Sequence, residues 1–243
     1  MIAQDSTRYG TDIYGKPQLF ELLEEIEQLK GKFRYRVLYL YPDLLTLSQL
    51  KKLTSFQKFI PYFDIPLQHI SSPVLQSMGR FYDEQAIYTF LEFIKEEFPV
   101  HFIRTNFIIG FPGETEEDVE KLCEFIAKEY FDNIALFEYH DETLAESSKL
   151  PDKISDKVLH ERFRKIRSLV NQLFLAHEKR RKGKENWGYV QEIHQSHSGK
   201  VILSVRPWLH CPEIDEVDDI SLEQVVICED EEVYLGSKIT YVV

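Results

Sequence analysis

Between residue 1 and about residue 140, apolar runs of strand length alternate with segments of helical period, and no other feature confines the fold so tightly. Residues 17–30, PQLFELLEEIEQLK, put Leu19, Leu22, Leu23, Ile26 and Leu29 on one stripe, which predicts a helix with proline in its first turn. RYRVLYLYP predicts a strand that Pro42 ends, LTLSQLKKLTSF a helix, and FIPYFDIPLQHI a strand interrupted by two prolines. Residues 84–98, EQAIYTFLEFIKEEF, form the next amphipathic helix and VHFIRTNFIIGFPG the next strand. Thr115 with Asp118 three residues on resembles a capping box opening a helix over TEEDVEKLCEFIAKEY, and NIALFEYH is one more strand. Such regular alternation predicts parallel strands joined by helical crossovers, in an α/β barrel or a doubly wound sheet. In both folds ligands collect at the carboxyl ends of the strands.

From Ser155 to about Lys182 the pattern becomes one long helix. It carries basic or potentially basic residues at five of its last six positions, and Gly183 stops it. Short alternating runs follow: WGYVQEIHQ, KVILSVRPW, EQVVICED, EEVYLG and KITYVV. They predict a small all-β barrel or sheet, dividing the chain into residues 1–183 and 184–243. No run of about 18 uncharged apolar residues exists to span a membrane. The opening MIAQDSTRYG lacks the regions of a secretory signal, so the expected location is the cytoplasm. Cys123, Cys211 and Cys228 are too scattered for a disulfide framework or a zinc site and are expected to behave as small hydrophobes.

The stretch TNFIIGFPGETEED holds the sharpest local question. Gly110 and Gly113 let backbone turn and let a ligand lie close to it, and the following helix start offers free N–H groups. A turn of this kind reads equally as topology or as a binding loop. Other strand ends add polar groups: residues 3–7, Gln68 and His69, and residues 139–142. Arg104 lies inside a strand otherwise rich in Phe and Ile, where an arginine needs a partner. His69 and His140 could form a metal pair, although nothing in their spacing requires it.

AQDSTRYGTDIYG, RVLYLYPD, PYFDIPLQHIS with VLQSMGR, RTNFIIGFPGETEED and the later CPEID together resemble the radical S-adenosylmethionine methylthiotransferases over nearly the whole chain. The likeness is strongest to the branch that methylthiolates an aspartate of the small-subunit ribosomal protein S-twelve. It implies a partial radical SAM (β/α)6 TIM-like barrel followed by a small all-β, OB-like TRAM domain. It also implies S-adenosylmethionine across the carboxyl rim. On that basis Gln4 lies near the cofactor's amino acid end, Gln68 near the ribose, and Arg104 where it could pair with the carboxylate. Gly110, Gly113 and Glu114 form the turn beside the adenosine, and Tyr139 and His140 lie where backbone meets the adenine.

The departures carry weight too. The family needs a 4Fe–4S cluster held by C-x3-C-x2-C, and no such run occurs. The likeness begins at the family's second strand and stops short of the last TRAM strand. The chain is therefore expected to be an internal fragment, lacking the ligands of both 4Fe–4S clusters, inactive alone and a weak binder of S-adenosylmethionine or none. YHDETLA also replaces a longer serine- and glycine-containing loop, which leaves the adenine end least defined.

Charge separates the candidate substrates. The formal charge is −12, and residues 187–243 hold eleven acids against three bases, a net of −8. Such a module repels nucleic acid and favours a basic ribosomal protein as partner. Trp187, Tyr189 and Trp208 could stack on bases, but in a small barrel such residues are more often core. The alternatives are a transfer-RNA adenosine methylthiotransferase and a non-catalytic module that docks on a basic protein.

Overall fold

The computed structural model describes residues 1–31, 33–181, 183–208, 218–228, 233 and 235–242, with backbone alone at 177, 178, 180 and 181. The expected alternation forms. α1 (Thr11–Tyr14) and α2 (Leu19–Gln28) precede β1 (Tyr35–Val37), α3 (Leu47–Leu53), β2 (Phe59–Gln68), α4 (Ser72–Ser77) and α5 (Glu84–Glu97). Then come β3 (Phe102–Ile109), α6 (Glu116–Ala127), β4 (Asn133–Glu138) and α7 (Asp156–Arg181). The four strands lie side by side in chain order, all parallel, as helical crossovers require. Met1 extends this sheet: its amino group donates to Arg36 O at 2.7 Å and its carbonyl accepts from Leu38 N at 3.1 Å.

The two prolines expected to interrupt β2 do not break it. The strand runs ten residues, and its pairing shifts register opposite Pro61 and again between Ile65 and Gln68, around Pro66. A residue without an N–H is tolerated where the ladder is already irregular. α4 has no counterpart among the expected helices, because six residues are too few to show a stripe; Pro73 sits in its first turn.

One face of the sheet packs on the helices. Phe63, Ile65 and Leu67 of β2 and Ile103, Phe107 and Ile109 of β3 share a core with Leu91, Ile94, Phe125 and Ile126. Phe107 meets Phe125 and Phe131 edge-on at 6.2 and 5.9 Å. Each such side chain contributes about 1.5–3 kcal/mol by leaving water. The alternate residues line the other face in layers, from the amino to the carboxyl ends of the strands. Tyr62 stacks on Phe102 at 5.1 Å; Asp64 stands opposite Arg104 and Arg104 opposite Asn133; Gln68 meets Asn106; Ile108 pairs with the exposed Phe137.

The chain divides into Met1–Phe174 and Leu175–Val243, so the division falls inside α7, ahead of the expected stop at Gly183. The second unit holds β5 (Glu185–Gln195), β6 (Val201–Pro207), β7 (Asp218–Ser221), β8 (Val225–Cys228) and β9 (Lys238–Val242). These make one antiparallel sheet in the order β7-β6-β5-β9-β8, around Val190, Leu203, Val205, Ile220, Ile239 and Tyr241. KITYV supplies β9 inside that sheet. β7 was not expected, since two aspartates hide its alternation. Residues 231, 232 and 234 of the expected strand EEVYLG lie outside the described residues. Trp187 and the buried Trp208 stack at 4.9 Å, with Lys238 over Trp187. CPEID, with Cys211, and residues 229–232 of the acidic run lie outside the described residues.

Candidate functional site

Three neighbouring strands end in left-handed backbone. Tyr39 (φ 58°) follows β1, Gln68 (φ 72°) closes β2, and Gly110 (φ 82°) follows β3. For Tyr39 and Gln68 this conformation costs on the order of 1–2 kcal/mol each, and such strain persists only where surroundings impose it. Those surroundings are visible. Tyr39 N donates to Asp64 Oδ2 (3.2 Å), Asn106 Nδ2 donates to Gln68 Oε1 (3.2 Å), and Gly110 N donates to Glu114 Oε2 (3.0 Å). Asn106 was missed in the sequence. Its signal was there: it lies two residues beyond Arg104 and so on the same strand face.

Arg104 sits lower than its expected role requires. It is the third residue of β3, five short of Ile109, and its Nη1 donates to Asp64 Oδ1 at 2.8 Å with both side chains buried. The pair ties β2 to β3 beneath the rim. A cofactor carboxylate would have to compete with Asp64, and the desolvated pair resists separation.

The two glycines of the bend differ in kind. A Cβ on Gly110 would lie 2.2 Å from Leu159 Cδ1 of α7, so here the close approach is made by the protein's own helix. Gly113 is also left-handed (φ 83°), but a Cβ there would meet nothing within 4 Å. Its N–H is held by Asp152 O at 3.0 Å. Of these two glycines, Gly113 alone has open space where a Cβ would stand.

Glu114, expected beside the adenosine, turns inward. Its side chain is fully buried, its Oε2 accepts from Gly110 N, and its Oε1 accepts from Arg162 Nη1 at 2.9 Å. Arg162 also donates to Glu114 O at 2.9 Å. The carboxylate thus shapes the bend from behind. Alongside, both halves of the Thr115–Asp118 capping box form, with Thr115 N donating to Asp118 Oδ2 at 2.8 Å, and Ser71 Oγ donates to Asp118 Oδ1. Burial raises the Asp118 carboxyl, but the hydrogen bonds from Ser71 and Thr115 outweigh it and hold it below its ordinary value. A depressed folded value means that this stabilisation is complete above about pH 3.9, the unfolded range. It is lost as pH falls through the folded value. Wild type and Asp118→Asn should therefore differ in urea midpoint by a gap that is constant near neutrality and closes in acid. A gap that widens on acidification would contradict the assignment.

The remaining expected residues lie at or beside the same rim. Gln4 is exposed, between Met1, paired with β1, and Ser6, whose N–H donates to Tyr39 O at 3.1 Å. Tyr139 follows β4; its N–H donates to Ile109 O at 2.9 Å, and its hydroxyl donates to Ser147 Oγ at 3.1 Å. His140 is exposed. His69 does not stand with His140 as a metal pair, since it is fully buried between Ser71 and Glu114. Among the described residues no group of three or more His, Cys, Asp or Glu could hold a metal ion, so these residues do not fit an iron–sulfur cluster. At the rim the Gln68 and Asn106 side chains meet between β2 and β3, and in the bend after β3 Gly113 leaves open space where a Cβ would stand. No helix among the described residues is long and apolar enough to cross a membrane.

A family model described as the radical SAM superfamily matches residues 7–126. A ribosomal protein uS12 methylthiotransferase RimO from Pseudothermotoga lettingae is 35% identical over 215 residues, 88% of this chain and 49% of that protein. Its counterpart from Carboxydothermus hydrogenoformans is 36% identical over 224 residues, 92% of this chain and 50% of that protein. The chain spans about half the length of the curated relatives it matches. Of solved structures, the archaeal Methanocaldococcus infernus Elp3 is 14% identical at a TM-score of 0.37, covering 59% of this chain and 34% of that one.

Proposed function

We propose, from the radical SAM match over residues 7–126 and the likeness to methylthiotransferases, that this chain is part of a radical SAM methylthiotransferase and that its first unit cradles S-adenosylmethionine. The enzyme it serves would add a methylthio group to an aspartate β-carbon of small-subunit ribosomal protein S-twelve. The observation that carries this reading is the contact of the Gln68 and Asn106 amides between β2 and β3, with the open Gly113 in the bend that follows β3. S-adenosylmethionine, when bound, supplies the hydrogen-abstracting and methyl-donating chemistry. The chain's own residues bind and orient. Gln68 and Asn106 offer amide groups to the ribose hydroxyls, Gly113 admits the nucleoside against main chain, and backbone at Tyr139 and His140 edges the adenine. Gln4 flanks the amino acid end, while Arg104 and Glu114 act from beneath by holding strand and bend. No step is assigned to an iron–sulfur cluster, for which the described residues supply no ligand set.

The second unit is read as the docking module. Its acids favour a basic ribosomal protein over RNA, because an RNA grip depends on cations that neutralise phosphates. A second reading, transfer RNA as substrate, rests on the Trp187–Trp208 stack capped by Lys238. Amide shifts separate the outcomes in one titration series. Millimolar S-adenosylhomocysteine should move Gln68, Asn106, Gly110 and Gly113, and ribosomal protein S-twelve should move second-unit resonances in a salt-dependent way. Shifts confined to other faces would overturn the cradle, and tight transfer-RNA binding at Trp187 would replace the protein substrate.

A further inference from the structure

His69 follows Gln68 and takes no part in the cradle, yet its side chain is fully buried. Ser71 N donates to its Nδ1 at 2.9 Å. A backbone N–H can only donate, so Nδ1 carries the lone pair and the proton sits on Nε2. That Nε2 has no hydrogen-bond partner and stands 3.6 Å from Glu114 Oε2. The same oxygen accepts the Gly110 amide, and Arg162 takes the other carboxylate oxygen. The imidazole thus lies between the end of β2 and the carboxylate that shapes the bend after β3. An apolar residue of equal size would leave the buried Ser71 amide without an acceptor, and such a group is costly to strand.

We propose that His69 is a positioning residue: its Nε2, 3.6 Å from Glu114 Oε2, sets the Gln68 end of β2 against the Gly110–Gly113 bend as a lock that fixes the width of the cradle. The inference deepens the nucleoside reading and rests on it for its functional meaning. The groups around the imidazole are Glu114 and Arg162 on one side and Ser71 with Asp118 on the other.

Two substitutions divide the imidazole in half. His69→Asn keeps an acceptor where Nδ1 stands and loses the donor. His69→Gln keeps a donor where Nε2 stands and loses the acceptor. Amide hydrogen exchange on the full chain reads both contacts. His69→Asn should speed exchange at Gly110 by about tenfold and spare Ser71, the size expected for a lost buried contact. His69→Gln should leave Gly110 within about twofold of wild type and speed Ser71 instead. S-adenosylhomocysteine shifts at Gln68 and Gly113 should weaken in His69→Asn and survive in His69→Gln. Equal exchange at Gly110 in the two variants overturns the lock, whatever their melting temperatures. If exchange follows the donor while the nucleoside moves no rim resonance even in wild type, the lock stands and the cradle reading fails.

Discussion

Gly110→Ala should destabilise the first unit by about 3 kcal/mol. The left-handed backbone accounts for about 1–2 kcal/mol of that. The rest comes from overpacking, typically about 1–3 kcal/mol, because the new methyl would stand 2.2 Å from Leu159 Cδ1. Both tryptophans, Trp187 and Trp208, belong to the second unit, so their fluorescence serves as an internal control. The helical circular dichroism signal should melt early in the variant while the tryptophan transition holds. Adding Leu159→Ala removes the obstacle, and the double variant should be more stable than the two single losses predict by at least about 1 kcal/mol. Gly113→Ala meets open space, so it should show only the backbone term, about 1–2 kcal/mol, together with loss of the nucleoside shifts. Equal destabilisation by the two glycine substitutions would refute the division of labour between them.

Arg162→Met should cost about 3–5 kcal/mol, the usual result of stranding a buried charge. It removes the guanidinium that pairs with Glu114 at 2.9 Å and also supports the Glu114 carbonyl. The Glu114 carboxylate would remain with the Gly110 amide and His69 as neighbours. Adding Glu114→Gln removes the stranded charge, so the double variant should recover much of the loss in a urea titration. Recovery would show that the pair is a matched device for holding the bend, and no recovery would assign the loss to Arg162 packing alone. The same bond explains how α7 governs a turn some 48 residues earlier in the chain.

These two expectations share a cause that bears on function. The bend is first of all a joint of the protein: Leu159 presses on Gly110, and Arg162 and Glu114 clamp the loop behind it. On the proposed nucleoside reading, that rigid joint is what would let Gly113 present a fixed patch of main chain to the ligand. Preorganisation of this kind limits the ordering cost at binding.

Much of this was legible beforehand. Period and proline placed nearly every helix and strand of the first unit, and Thr115 with Asp118 marked the start of α6. Legibility failed where evidence was short or masked. α4 was too brief for a stripe, Asp218 and Asp219 concealed β7, and Pro61 and Pro66 suggested a break where β2 only shifts register. Among the site residues, Gln68, Gly110 and Gly113 stand at strand ends as expected. Arg104 and Glu114 have other partners, and Asn106 went unnoticed as one polar residue in an apolar strand.

By itself the sequence determined which segments are strands or helices and where the chain must turn, because periodicity, proline and capping act within a few residues. Only the tertiary structure decided which polar groups are spent and which are spare. Asp64 claims Arg104 across 40 residues and Arg162 claims Glu114 across 48, since a charge taken from water must find a partner wherever the fold brings one. At the rim, Gln68 and Asn106 hold each other, and Gly113, its N–H held by Asp152 O, keeps open space where a side chain would stand.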